Sequence, residues 1–186
     1  MDDATRLQRI GERAAAEVPD GALVGLGTGS TAEAMLVALG VRVRDGLRVT
    51  GVATSEATSS RASSLGIPLV SIDEVEALDL CIDGADEIDP RINVVKGRGG
   101  ALLHEKLVAA RAARLVIIAS AEKLVSQLGT RLPLPVEIVP FGHTHTQRAI
   151  AAIGITPTLR LTTDGSPFSL IAVAGRRKPR CLDARD

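Results

Sequence analysis

The stretch ALVGLGTGSTAEA, residues 22–34, decides the fold. Its apolar run, 22–26, leads through Gly25 into Gly27 and Gly29, and Ser30-Thr31-Ala32-Glu33 then has the spacing of a capping box. The pattern is a strand, a tight loop and a helix that ends before Gly40. Upstream, Leu7, Ile10, Ala14 and Val18 recur at helical spacing before the turn Pro19-Asp20-Gly21. Downstream the alternation repeats: strand 48–53, helix 55–65 closed by Gly66, strand 67–71, short helix 73–78 and strand 80–83. After a loop rich in glycine and charge come helix 101–113 and a buried strand, 115–120. Strands alternating with helices imply a parallel sheet covered on both faces. The expectation is an α/β domain with a parallel sheet over residues 1–130.

The character changes at Pro133-Leu134-Pro135. A strand at 136–139, a helix at 144–153 and a strand at 158–162 read as a second, smaller α/β unit over 131–168. The remaining residues, 169–186, read SLIAVAGRRKPRCLDARD: one apolar patch, then an Arg-rich segment without periodicity, expected to be disordered.

Composition narrows the function classes. Of 186 residues, 45% are hydrophobic and 24% charged, the balance of a globular protein and not of a disordered one. Lys and Arg number 22, as do Asp and Glu, so no net field draws nucleic acid or an anionic membrane, and any bound anion must be held locally. The aromatic residues are Phe141 and Phe168 alone, which removes base-stacking platforms. No apolar run approaches the ~20 residues that cross a bilayer, and the opening MDDATRLQRIGERAAAEV is charged and amphipathic, unlike a secretory signal. A cytoplasmic protein is expected. Cys81, inside a short apolar run, reads as a reduced buried thiol.

Ligands of open parallel sheets bind beyond the carboxyl ends of the strands, which directs attention to three polar loops. The first, GLGTGSTAEA, lacks the last glycine of a dinucleotide fingerprint and the lysine of a nucleotide P-loop. Its glycines, the hydroxyls of Thr28, Ser30 and Thr31 and the following helix start suit one phosphate monoester, with tight strand-to-helix packing as the alternative. The second, CIDGADEIDP, brings Asp83, Asp86, Glu87 and Asp89 close together after an apolar strand. Such acids bind a divalent metal or the hydroxyls of a polyhydroxylated substrate; no nearby histidine completes a metal sphere. For Glu87 and Asp89 the alternative is a solvated turn carrying caps. The third, VVKGRGGALLHEKL, sets Lys96 before Gly97, Gly99 and Gly100, with Glu105 in the first turns of the next helix. A carboxylate that removes a proton beside a carbonyl needs a cation or amides to hold the developing enolate oxygen, and Lys96 with the glycine amides could do so. The alternative has Glu105 complementing the helix dipole. His104 lies about 100° around the helix from Glu105 and should not share its site. His143 and His145 lack a third ligand. Lys123, past strand 115–120, reads either as a surface lysine or as a contact to a phosphate or substrate oxygen.

GLGTGST, DGADEID and KGRGGALLHEK, in this order and spacing, resemble ribose-5-phosphate isomerase of the A type, from about residue 3 to Phe168. The resemblance implies a Rossmann-like domain with a small α/β lid, and interconversion of ribose 5-phosphate and ribulose 5-phosphate through an enediolate. It implies no metal or organic cofactor, and a homodimeric cytoplasmic enzyme of the pentose phosphate pathway with no nucleic-acid or membrane partner. By its motifs Glu105 is the proton-shuttling base, with Asp83, Asp86 and Lys96 around the reacting oxygens. Substrate binding falls to Thr28, Gly29, Ser30, Thr31, Asp83, Gly84, Ala85, Asp86, Lys96, Gly97, Arg98, Gly99 and Lys123; Arg98 occupies a slot that is glycine in some relatives. The alternatives are a catalytically impaired truncated form and a non-catalytic sugar-phosphate-binding module. After Phe168 the family pattern would continue with a turn, a strand and a helix completing the lid, whereas this chain departs from it as a truncated or frame-shifted gene would. That departure predicts an unpaired edge strand and partial exposure of Val136, Ile138, Ile150, Ile153 and Leu161, with a stability cost.

Overall fold

The computed structural model describes residues 2–163, 165 and 167–174. The chain forms two compact units, the first made of Met1–Ala85 and Leu103–Glu122, the second of Asp86–Leu102 and the chain from Lys123 onward.

In the first unit, α1 (Asp3–Ala15) precedes β1 (Ala22–Leu26), α2 (Ser30–Arg44), β2 (Val49–Ala53), α3 (Glu56–Ser64) and β3 (Leu80–Gly84). The hairpin strands β4 (Glu87–Ile88) and β5 (Val94–Val95), which belong to the second unit, intervene before α4 (Leu102–Ala110) and β6 (Leu115–Ile118). The sheet is parallel, in the order β2-β1-β3-β6. Side chains alternate across its faces. Val24, Leu26, Leu80 and Ile82 join Ala14, Val18, Met35, Leu36, Leu39 and Ala62 in one apolar cluster, whereas Cys81 joins Val52, Leu78 and Val108 in another. Helices α1, α2 and α3 therefore cover one face, and α4 covers the other. An α/β parallel sheet flanked by helices is thus what the alternation implied.

Several boundaries differ from the sequence reading, each for a tertiary reason. Helix α2 does not stop before Gly40 but runs through it to Arg44. A Cβ at Gly40 would lie 2.9 Å from the Leu65 Cβ, so this glycine admits α3 alongside α2 and is no stop signal. The capping box does not form. Gly29, at φ 103°, is the N-cap without a side-chain hydrogen bond, and the Glu33 carboxylate pairs with Arg61 at 3.4 Å. Residues 67–71 contribute only a bridge, Leu69 to Gly51, and 73–78 shorten to a 3-10 turn at Ile72–Glu74.

The second unit holds the antiparallel β4–β5 hairpin and a sheet of β7 (Leu134–Glu137), β8 (Thr156–Leu161) and β9 (Pro167–Ala174) in the order β7-β9-β8, with α5 (His143–Ala152). A single boundary at 130 is not how the chain divides. Ile88 bridges Leu124, and the Val125 N–H donates to the Ile88 carbonyl, so residues 86–102 pack with the later segment. Nor does a disordered tail begin at Ser169: residues 169–174 are the last six of the eight residues of β9, the central strand of this sheet. The apolar, β-branched run LIAVA satisfies the ladder on both sides, so the expected unpaired strand is paired. Residues 175–186, including Cys181, lie outside the described residues. Ile153 and Leu161 are exposed and Val136 and Ile150 half-buried, as expected, whereas Ile138 is buried.

Glu87 anchors this unit. From sequence it reads as part of an acid cluster for a metal or a polyhydroxylated substrate, or else as a capping acid of a solvated turn; in the fold it is 1% exposed. Its carboxylate accepts the backbone N–H groups of Gly129, Arg131 (2.8 Å) and Leu132 (3.0 Å). Glu87→Gln replaces one acceptor oxygen with an NH2 that opposes a backbone donor. The expected loss is about 1–3 kcal/mol, seen in thermal unfolding as a fall of about 2–4 °C per kcal/mol. An unchanged midpoint would show that the 129–132 loop does not depend on this carboxylate.

Candidate active site

The order β2-β1-β3-β6 reverses direction at β1. The chain goes outward from β1 to β2 and then returns to place β3 on the other side, so the ends of β1 and β3 flank the crevice where open α/β sheets bind ligands. The first polar loop leaves β1 there and Asp83 closes β3 there. The Gly27 N–H donates to the Ile82 carbonyl at 2.9 Å, and the Thr28 N–H to Asp83 Oδ1 at 3.2 Å. Asp83 is 1% exposed, and its Oδ1 also accepts the Gly84 N–H at 2.7 Å. Contact this close requires glycine: a Cβ at Gly27 would stand 2.3 Å from Asp83 Oδ1 and 2.6 Å from its Cα. Gly29 needs its left-handed φ to turn the loop into α2. Gly29 and Ser30 are exposed and Thr28 and Thr31 half-buried, and all but Thr31 border a cleft of about 640 Å³ together with Thr58 and Arg61.

Glu105 also lies in the first unit. Val108 packs on β1, its Cγ1 occupying the space that a Cβ at Gly25 would need. One turn earlier on the same face, Glu105 is therefore turned inward, and it is 5% exposed. His104 points elsewhere, into a cleft of about 470 Å³ with Ser55, Glu56, Glu74 and Leu107.

Asp86, Lys96, Gly97, Arg98, Gly99 and Lys123 belong to the second unit. Asp86 and the third loop are brought together there. The Asp86 N–H donates to the Val95 carbonyl (2.8 Å), and Asp86 Oδ2 accepts the Arg98 N–H (3.1 Å). The Arg98 carbonyl accepts from Arg160 Nη1 at 2.7 Å, and the Arg160 guanidinium sits 5.1 Å from the Phe168 ring centroid. Gly97 is buried at φ 98°, and a Cβ there would stand 3.0 Å from the Leu102 Cβ, a tight contact. Lys96 and Asp86 are half-buried and Arg98 exposed. Lys123 ends a 3-10 turn at Ala121–Lys123. Asp89 caps the hairpin, accepting the N–H groups of Arg91 and Asn93, both at 2.9 Å. The Asn93 side-chain hydrogen bond leads the contacts that hold its carboxyl below the usual range. Among the described residues, no three His, Cys, Asp or Glu side chains converge in a metal-holding group. No helix among them is long and apolar enough to cross a membrane.

Three residues of the first unit escaped the sequence reading: Thr54, Ser55 and Thr58, whose hydroxyls surround that of Thr28. ATSEAT, residues 53–58, is an unremarkable strand-to-helix turn by itself; only its position beside GLGTGST in the sheet order reveals it.

Fold and strand ends thus define a Rossmann-like α/β protein with an acid- and hydroxyl-lined crevice at its switch point. The family model of ribose 5-phosphate isomerase A (phosphoriboisomerase A) matches residues 50–170. Ribose-5-phosphate isomerase A of Roseiflexus sp. (strain RS-1) is 52% identical over 170 residues, 90% of this chain and 73% of the relative. Among solved structures, ribose 5-phosphate isomerase A from Methanocaldococcus jannaschii matches with a TM-score of 0.86 at 34% identity, covering 92% of this chain and 80% of that one. A D-ribose-5-phosphate isomerase in complex with phospho-erythronic acid matches at 0.87 and 30%, covering 95% and 81%. The chain belongs to the ribose-5-phosphate isomerase A family.

Proposed function

We propose that the chain interconverts D-ribose 5-phosphate and D-ribulose 5-phosphate, in the non-oxidative branch of the pentose phosphate pathway. The observation that carries this is the 3.2 Å hydrogen bond at the switch point, which joins a phosphate-type glycine loop to a buried carboxylate in a chain of this family. The phosphate is assigned to the loop Thr28–Thr31 and to Lys123, and the sugar hydroxyls to Asp83, Gly84, Ala85 and Asp86. Glu105 takes the proton from C2 of the opened aldose and returns it to C1, while the O2 hydroxyl proton passes to O1. The enediolate oxygens between these steps are assigned to Lys96 and to the amides of Gly97, Arg98 and Gly99. One base serves both carbons, so the reaction needs no net proton and no redox partner. The same reading extends to a homodimer in the cytoplasm, checked by light scattering of the purified chain.

A coupled assay of ribulose 5-phosphate formation, run before and after exhaustive chelation, tests the reading. Turnover is expected in both. Loss with EDTA and recovery with a divalent ion would overturn the metal-free chemistry. Binding of the sugar phosphate without turnover would leave a binding module in place of the enzyme.

A further inference from the structure

Strand β2 lies beside β1 with Ala53 opposite Leu26, so the residues that follow each strand emerge together. Thr54 is 0% exposed and Thr58 5%, and buried hydroxyls must be satisfied by the protein. Each hydroxyl has one proton to give. The Thr54 hydroxyl donates to the Leu26 carbonyl at 2.9 Å and the Thr58 hydroxyl to the Gly27 carbonyl at 2.9 Å. With those protons spent, neither oxygen donates to Thr28 Oγ1, which lies 2.7 and 3.1 Å away and has one proton of its own to give. Ser55 Oγ accepts the Thr28 hydroxyl at 2.9 Å and, as the cap of α3, the Thr58 N–H, and its own proton goes to Thr58 Oγ1 at 3.0 Å. The Thr28 hydroxyl proton is therefore directed inward, while its backbone N–H goes to Asp83.

From this proton inventory we infer that Thr54 and Thr58 are positioning residues that set the path of the Gly27–Thr31 loop for a phosphate monoester. Two consecutive carbonyls, those of Leu26 and Gly27, are held by Thr54 and Thr58, and the side chain that follows them is held by Ser55 of the same β2–α3 turn. The amides beyond Thr28 then present a fixed geometry to the anion, and the cost of ordering the loop is met on folding instead of on binding. This assignment rests on the sugar-phosphate reading of the same crevice.

Thr54→Val and Thr58→Val keep the side-chain shape and delete the hydroxyl; Thr54→Ser and Thr58→Ser keep the hydroxyl. In steady-state assays of the full chain with ribose 5-phosphate, each Val variant is expected to raise KM about tenfold, the equivalent of ~1.4 kcal/mol. Its kcat should stay within about threefold, since the interaction weakened is uniform binding of the phosphate, and the Ser variants should restore KM to within about twofold. Folded Val variants with unchanged KM would overturn the assignment, as would Ser variants as impaired as the Val ones. Collapse of both Val variants would overturn it in favour of a role in folding alone. If the parent chain shows no isomerisation, the functional reading beneath is what fails, and calorimetric titration with inorganic phosphate decides the positioning role by the same contrast of Val against Ser.

Discussion

Glu105→Gln is expected to lower kcat for ribose 5-phosphate isomerisation by about 10²–10⁴-fold, the range contributed by one positioned general base. KM should move by less than about threefold. The side chain is 5% exposed on the α4 face that packs against β1, so a glutamine of the same shape occupies the same space. What changes is chemical: an amide cannot take the C2 proton at neutral pH. The unfolding midpoint of the variant, compared with the parent, separates this loss from a folding defect. Retention of more than about a tenth of the parent rate, a barrier change of only ~1.4 kcal/mol, would remove Glu105 from the role of base.

The second large effect comes from a single methyl group. Gly27→Ala places a Cβ 2.3 Å from Asp83 Oδ1, 2.5 Å from its Cγ and 2.6 Å from its Cα. The carboxylate could rotate away, but the backbone Cα cannot, so β1 and β3 must separate where the crevice forms. The expected stability loss is about 1–3 kcal/mol, the range for overpacking. A fall in the unfolding midpoint of about 2–4 °C per kcal/mol follows for a chain of this size. Activity should suffer more, because separation breaks the Thr28 N–H to Asp83 hydrogen bond that joins the loop after β1 to the end of β3. A kcat/KM at least about 100-fold below the parent is expected, equivalent to ~2.7 kcal/mol of lost transition-state stabilisation. A Gly27→Ala chain with parental kcat/KM would show that this approach is not part of the machinery.

GLGTGST and DGADEID each fall within one short stretch, so residue type and position at strand ends mark both as candidates from sequence. Gly40, by contrast, reads locally as a helix stop because glycine commonly ends helices, whereas in the fold it makes room for Leu65 across a helix contact. Glu87 shows the same limit from the polar side. Beside Asp86 and Asp89 it looked like one more solvated acid, yet its partners are backbone amides 42 to 45 residues away.

The amino-acid sequence by itself determined the class of fold, through the alternation of β-branched runs with helical periodicity, and it determined the three motifs by which the family is recognisable. Both are local properties: each depends on spacings of a few residues, which backbone geometry converts directly into faces and turns. Only the tertiary structure decided that residues 86–102 pack with the later unit, that LIAVA is a central strand, and that Thr54 and Thr58 grip the loop after β1. Those outcomes depend on the strand order β2-β1-β3-β6 and on hydrogen bonds between residues 28 to 31 positions apart. Such bonds leave no periodic trace in the chain, because a hydroxyl or a carboxylate has the same local pattern whether it meets water or a carbonyl on a neighbouring strand.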